Sequence, residues 1–128
     1  MKILVDTQCF LWSFLDPSRL SDIAKEILSA GREDLFFSAA SSWEIAIKVG
    51  IGKLQLPEPP DEYVPPRIIR AGMTPLDVSH AHALRVHTLP PTHKDPFDRL
   101  LVAQAETEGL TILTPDPQIG KYSIQTLW

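Results

Sequence analysis

Only one cysteine, Cys9, occurs in the 128 residues, so no intrachain disulfide can form and no cysteine-rich zinc site can be built, a composition suited to a reducing cytosol. Cys9 is then expected as a small buried residue. Long apolar runs are missing too. Asp6, Gln8 and Asp16 cut the N-terminal hydrophobic stretch well short of the ~20 residues a membrane span needs, and no basic segment followed by an uninterrupted apolar one marks a secretion signal. A soluble, cytoplasmic protein without a membrane partner is the expectation. Nor is there an excess of cations. A net charge of −4 gives no broad attraction to nucleic acid, because phosphate contacts come from clustered Lys and Arg. Any affinity for RNA must be local, and a bound divalent cation would reverse part of the negative field at a carboxylate-lined site. Repeats and low-complexity tracts are absent as well.

What the chain does have is a globular balance of 44% hydrophobic and 22% charged residues, enough for one core in one domain spanning residues 1–128. Met1 to Val5, Leu35 to Ser38 and Leu110 to Thr114 are short, apolar and β-branched or aromatic, as expected of buried strands in a parallel sheet. A helix is predicted over Leu20 to Ala30, with Ser21 as N-cap, Ile23, Ala24, Ile27 and Leu28 on one face and Gly31 as the stop. A second follows over Ser41 to Val49, ending at Gly50. The five prolines from Pro57 to Pro66 remove donors and predict a loop. Thr74 to Val78 reads as extended, and a helix starts at Ser79. The strongest local signal is Asp95 as N-cap, Pro96 at the first helical position and Gly109 as the C-terminal stop. Ser123 to Leu127 is the expected last strand. Strands alternating with helices predict an α/β sandwich with a mostly parallel central sheet.

Sites in such sheets form at the carboxyl ends of strands and the N-termini of the following helices. Four acids fall there. Asp6 closes the first strand, Glu44 lies in the early turns of a helix, Asp98 is in the first turn of the Pro96 helix, and Asp116 follows the Leu110–Thr114 strand. Thr7 and Ser38, also at strand ends, can add hydroxyl ligands or orient the carboxylates. Three of the acids have an ordinary explanation alone: Asp98 complements a helix dipole, Asp116 suits a turn, and Glu44 can pair with Lys48, whereas Asp6, at the end of an apolar strand, is harder to dismiss. Their joint placement on one edge is the informative feature. Clustered carboxylates resist ionisation unless a positive charge sits among them, and Mg²⁺ or Mn²⁺, which prefer oxygen ligands and keep waters for a substrate phosphate, fit that need. The chemistry implied is phosphodiester hydrolysis by an activated water.

The run Lys2-Ile3-Leu4-Val5-Asp6-Thr7, then Ser38-Ala39-Ala40-Ser41-Ser42-Trp43-Glu44-Ile45-Ala46-Ile47-Lys48 and Gly52-Lys53-Leu54, resembles PIN-domain toxins of the VapC type. So does the second half: His93, then Asp95-Pro96-Phe97-Asp98-Arg99-Leu100-Leu101-Val102-Ala103-Gln104-Ala105, followed by Thr114, Asp116, Tyr122 and the terminal Leu127-Trp128. The resemblance implies a three-layer α/β/α sandwich with a five-stranded parallel sheet. It also implies an acidic quartet of Asp6, Glu44, Asp98 and Asp116 that binds Mg²⁺ or Mn²⁺, with Thr7, Ser38 and Thr114 in support. An endoribonuclease acting on RNA is implied, usually a homodimer and neutralised by a small VapB-like antitoxin. One departure stands out: Tyr63-Val64-Pro65-Pro66 interrupts a segment that runs helical more often in the family.

Lys48, Lys53, His93 and Arg99 are candidate RNA contacts, and Trp12 and Phe14 candidate members of an antitoxin groove, each with core packing or ordinary surface polarity as the alternative. His80, His82 and His87 share no ligand spacing and are expected to be structural. A haloacid-dehalogenase-like phosphatase would need a second acid two residues after the first, which Asp6-Thr7-Gln8 lacks. Glu44 inside a helix does not suit a receiver-type signalling module. A PIN nuclease or RNA-binding module in RNA processing, without a toxin role, carries the same motif and stays open.

Overall fold

The computed structural model describes residues 1–128. A single all-parallel sheet holds β1 (Lys2–Val5), β2 (Asp34–Ser38), β3 (Met73–Leu76), β4 (Thr111–Leu113) and β5 (Thr126–Leu127) in the order β3-β2-β1-β4-β5. Six helices connect them: α1 (Thr7–Leu15), α2 (Asp22–Ala30), α3 (Ala39–Gly50), α4 (Pro60–Arg70), α5 (His80–Arg85) and α6 (Pro96–Glu108). None is long and apolar enough to cross a membrane.

Strand side chains alternate between faces, and here the alternation divides the core in two. Ile3, Val5, Leu35, Phe37 and Leu113 pack with Cys9 and Phe10 of α1, Ala24 of α2 and Tyr63, Val64 and Ile68 of α4. Leu4 and Ile112 instead meet Leu101, Val102 and Ala105 of α6, with Ile119 and Tyr122. Helices therefore cover both faces, giving the expected three-layer α/β/α sandwich. Because both sides of β1 are buried beyond the exposed Lys2, Ile3 to Val5 form a continuous apolar run without polar alternation.

Helix ends follow local chemistry. Ser21 and Asp95 cap α2 and α6, and Gly31 and Gly109 close them in the left-handed region at φ 67° and 68°, as their spacing predicts. The apolar face assigned to α2 is narrower than expected, because Ile23 points outward while Ala24 is buried. The predicted strands shorten to Thr111–Leu113 and Thr126–Leu127.

Two segments depart from expectation. The stretch read as a proline loop is largely α4. Pro60 sits in its first turn, where the missing N–H has no intrahelical partner. Pro65 and Pro66 lie inside the helix on its exposed side, so the donors they lack would have bonded to carbonyls near solvent. The opposite side buries Tyr63, Val64 and Ile68, at ~1.5–3 kcal/mol per large side chain, which is enough to outweigh the local penalty. The second departure is α1, which the sequence did not mark as a helix although Asp6 caps it by accepting from Cys9 N.

Candidate active site

With β1 central, the chain runs outward through β2 to β3 on one side and returns to β4 and β5 on the other. The carboxyl ends of β1 and β4 thus flank the point where strand order reverses, where such sheets open a crevice. A cleft of about 650 Å³ lies there, and Asp6, Glu44, Asp98 and Asp116 all line it.

Each carboxylate is held by its own element. Asp6 ends β1 and caps α1: its Oδ1 accepts from Cys9 N at 2.7 Å and its Oδ2 from the Thr114 hydroxyl at 2.5 Å. The same Thr114 oxygen accepts from Asp116 N at 3.1 Å, tying the loop after β4 to the end of β1. Asp98 stands in the first turn of α6, its backbone N–H bonded to Asp95 Oδ1 at 3.1 Å. Its own Oδ2 meets His93 Nε2 at 2.8 Å, and that nitrogen lies 3.8 Å from Asp116 Oδ2. On α3, Glu44 Oε2 accepts from Lys48 Nζ at 2.6 Å, whereas Oε1 is buried without a hydrogen-bond partner.

Burial and mutual repulsion show in the ionisation. Desolvation pushes Asp6 up to about 7 although the Thr114 and Cys9 bonds pull it down, with Asp98 and Glu44 adding repulsion. Asp98 is raised to about 6, first by burial and opposed by its bond to His93, while Asp95 and Glu44 raise it further. A cation in the cleft would relieve both.

The donor set fits a hard divalent ion. Ligand atoms of His93, Asp98 and Asp116 lie within 4.8 Å of one another, and the orphaned Glu44 Oε1 is the sort of buried acceptor that a cation would satisfy. All but one of these donors are carboxylate oxygens, as Mg²⁺ and Mn²⁺ prefer.

The other expected residues divide. Thr7 lines the cleft and donates to Ser41 Oγ at 2.8 Å. Lys48 and Lys53 line it too. Ser38 does not: it is fully buried, caps α3 through Ala40 N and donates to Gln104 Oε1 at 2.6 Å. Arg99 is also withdrawn. Its guanidinium donates to the carbonyls of Pro90 at 2.7 Å and Val86 at 3.2 Å and to the Tyr122 hydroxyl at 3.1 Å, clasping the segment that carries His93 rather than facing a substrate. Trp12 and Phe14 do not share a groove. Two residues apart on α1, they point about 200° apart, Trp12 into the carboxylate cleft and Phe14 into a separate hollow with Leu20, Leu28 and Met73.

Sequence reasoning missed the remaining wall of the cleft: Gln8, Leu11, Leu15, Asp16, Arg19 and Leu54, together with Asp95 and Pro115. The spacing of Gln8, Leu11, Trp12 and Leu15 is that of one helical face, a signal available once Thr7–Leu15 is known to be a helix. Of the histidines outside the cleft, His82 is buried, its Nδ1 accepting from Ser79 N and its Nε2 meeting Glu108 Oε1 at 2.9 Å, while His80 and His87 are exposed.

A doubly wound parallel sheet with an acidic cleft at its switch point defines the class, and the family follows from it. Residues 3–124 match the PIN domain, and the chain belongs to that family. It is 50% identical over 58 residues to Ribonuclease VapC16 of Mycobacterium tuberculosis, an alignment covering 45% of this chain and 41% of that protein's length. Its fold is similar to VapBC2 from Rickettsia felis bound to a promoter DNA fragment, with a TM-score of 0.75 and 15% identity over 100% of this chain and 99% of that one. It is likewise similar to DNA-bound VapBC from Salmonella typhimurium, with a TM-score of 0.70 and 18% identity over 99% and 97%.

Proposed function

We propose that the chain is a metal-dependent endoribonuclease acting in the cytoplasm as the toxin of a toxin–antitoxin pair, with Asp6, Glu44, Asp98 and Asp116 as the catalytic carboxylates. The observation that carries this reading is the convergence of the four in one cleft of a PIN domain, with one Glu44 oxygen buried and unpartnered. The likeness to Ribonuclease VapC16 supports RNA as substrate, and the VapBC complexes among its structural relatives support a small antitoxin partner. A homodimer is part of the same reading.

The four carboxylates would hold Mg²⁺ or Mn²⁺, and the ion supplies activation of a water and neutralisation of charge on the phosphodiester. Thr114 fixes the rotamer of Asp6 and the position of the Asp116 backbone at once. His93 orients Asp98, and Lys48 holds Glu44. Thr7 and Ser41 are bonded to each other, which ties the start of α1 to α3 beside the cleft.

The test is cleavage of single-stranded or loop RNA by the purified chain. Activity should require Mg²⁺ or Mn²⁺, stop with EDTA and leave 5′-phosphate and 3′-hydroxyl ends, because the RNA 2′-hydroxyl is not the nucleophile. Products ending in 2′,3′-cyclic phosphate, or full activity in chelator, would overturn the mechanism. Expression alone should arrest growth, and co-expression of an adjacent small reading frame should relieve it. A folded chain that binds RNA without cutting it would leave the RNA-binding-module reading.

A further inference from the structure

The cleft is chemically divided. One end carries Asp6, Glu44, Asp95, Asp98 and Asp116, with Lys48 bonded to Glu44, and the other is built from Leu11, Trp12, Leu15 and Leu54 with Lys53 and the paired Asp16 and Arg19. A divalent ion and its waters use only the acidic end. The apolar end is a second, continuous surface that the reading of the carboxylates does not use.

Its origin lies in α1. Cys9 and Phe10 turn into the core, while Gln8, Leu11, Trp12 and Leu15 form an i, i+3, i+4, i+7 stripe along the cleft, Leu11 as the nearly buried floor that joins it to the core and Trp12 packed beside it. Amphipathic helices normally give solvent a polar face, and here the cleft side is three-quarters apolar. Trp12 is steadied rather than loose: its ring lies 6.1 Å from that of Trp128, and the Arg19 guanidinium sits 5.5 Å from its centroid while also pairing with Asp16 at 3.3 Å. Trp12 lies six residues beyond Asp6, about 9 Å along the helix, so a group seated beside it is one short step from the carboxylates.

We propose that this wall is a nucleobase seat: one unpaired base next to the scissile phosphate packs against Trp12 and the Leu11, Leu15 and Leu54 side chains, with Arg19 and Lys53 meeting the neighbouring phosphate. The proposal rests on the ribonuclease reading and adds to it a requirement for an unstacked base at one fixed position. Three features favour a nucleotide. An aromatic and aliphatic wall suits a base face, and single-stranded RNA is held in this way with bases on aromatic side chains or Arg planes. Two of the three basic groups in the cleft, Arg19 and Lys53, are left for phosphates, the third, Lys48, being bonded to Glu44. The volume suits a small ligand rather than a folded partner.

The experiment uses a short single-stranded RNA that the wild type cuts, with abasic residues placed in turn at each position flanking the cut. Wild type, Trp12→Leu, Trp12→Phe and Lys53→Ala are compared in cleavage, and in fluorescence-anisotropy binding with EDTA present. One abasic position should raise KM and weaken binding by about 10-fold or more in the wild type, with kcat little changed. Trp12→Leu should incur the same loss on intact RNA and no further loss on the abasic RNA, whereas Trp12→Phe should recover much of it. Lys53→Ala should weaken binding for every sequence and lower the salt slope by about one. If the wild type cuts RNA with no abasic position mattering, or if folded Trp12→Leu binds RNA as the wild type does, the base seat is overturned and the wall is left to a protein partner. If Trp12→Leu fails to fold, the abasic series on the wild type decides alone. A wild type that cuts no RNA overturns the ribonuclease reading itself, and this seat with it.

Discussion

Thr114 shows how much one hydroxyl can organise. It donates to Asp6 and accepts from the Asp116 backbone, so Thr114→Val should leave the fold intact yet loosen two proposed ligands together. Supporting bonds of this kind are worth about 10–100-fold in metal affinity, and calorimetric titration with Mn²⁺ should show that loss. An unchanged affinity would mean the loop is held by its backbone alone. Replacing a carboxylate itself should be more severe. Asp6→Asn, Glu44→Gln, Asp98→Asn and Asp116→Asn change charge with little change in volume, so each should abolish most RNA cleavage while its circular dichroism stays native. The four acids were legible in the sequence because each falls near the carboxyl end of a strand or in the early turns of a helix on the same sheet edge. Ser38 and Arg99 were not, since what decides their roles is Gln104 and the Val86–Pro90 carbonyls, partners that only the folded chain brings near.

Elements differ in how openly the sequence declares them. Helix α6 is marked by residues touching its own ends: Asp95 bonds to both Phe97 N and Asp98 N, and Gly109 turns left-handed. Removing the cap by Asp95→Ala should lower stability by ~0.5–2 kcal/mol, read as a shift in urea midpoint. The opposite holds for α4, whose prolines argue against a helix that tertiary burial nevertheless imposes. Pro65 is exposed and contributes no buried packing. Pro65→Ala should therefore restore a backbone bond and raise thermal stability, and a fall would show that unfolded-chain stiffness from proline outweighs that bond. Helix α1 escaped notice for another reason. Its apolar residues face the core at Phe10, the cleft at Leu11 and Trp12 and a separate hollow at Phe14, leaving no polar stripe to reveal a helical period.

For the molecule as a whole, the acidic cleft is a burden that a cation would lift. Asp6 and Asp98 have folded values near 7 and 6 against 3.8 as the ordinary reference. Between about pH 4 and pH 7 the folded chain thus binds more protons than the unfolded one, and its stability falls as pH rises through that window. In EDTA, the wild type should lose urea resistance relative to Asp6→Asn between pH 5 and pH 8. Adding Mn²⁺ at pH 8 should restore it to the wild type alone, because the ion binds the folded, deprotonated site. A wild type whose midpoint tracks the variant at both pH values would contradict the buried-charge account. The architecture also imposes an order in time. Asp6 and Glu44 leave the ribosome early, whereas Asp98 and Asp116 come late, and the cleft exists only once β4 has slotted in beside β1. A chain made from its N-terminus therefore carries two of its four carboxylates well before the other two exist, and has no complete acidic cleft until Asp116 has been made.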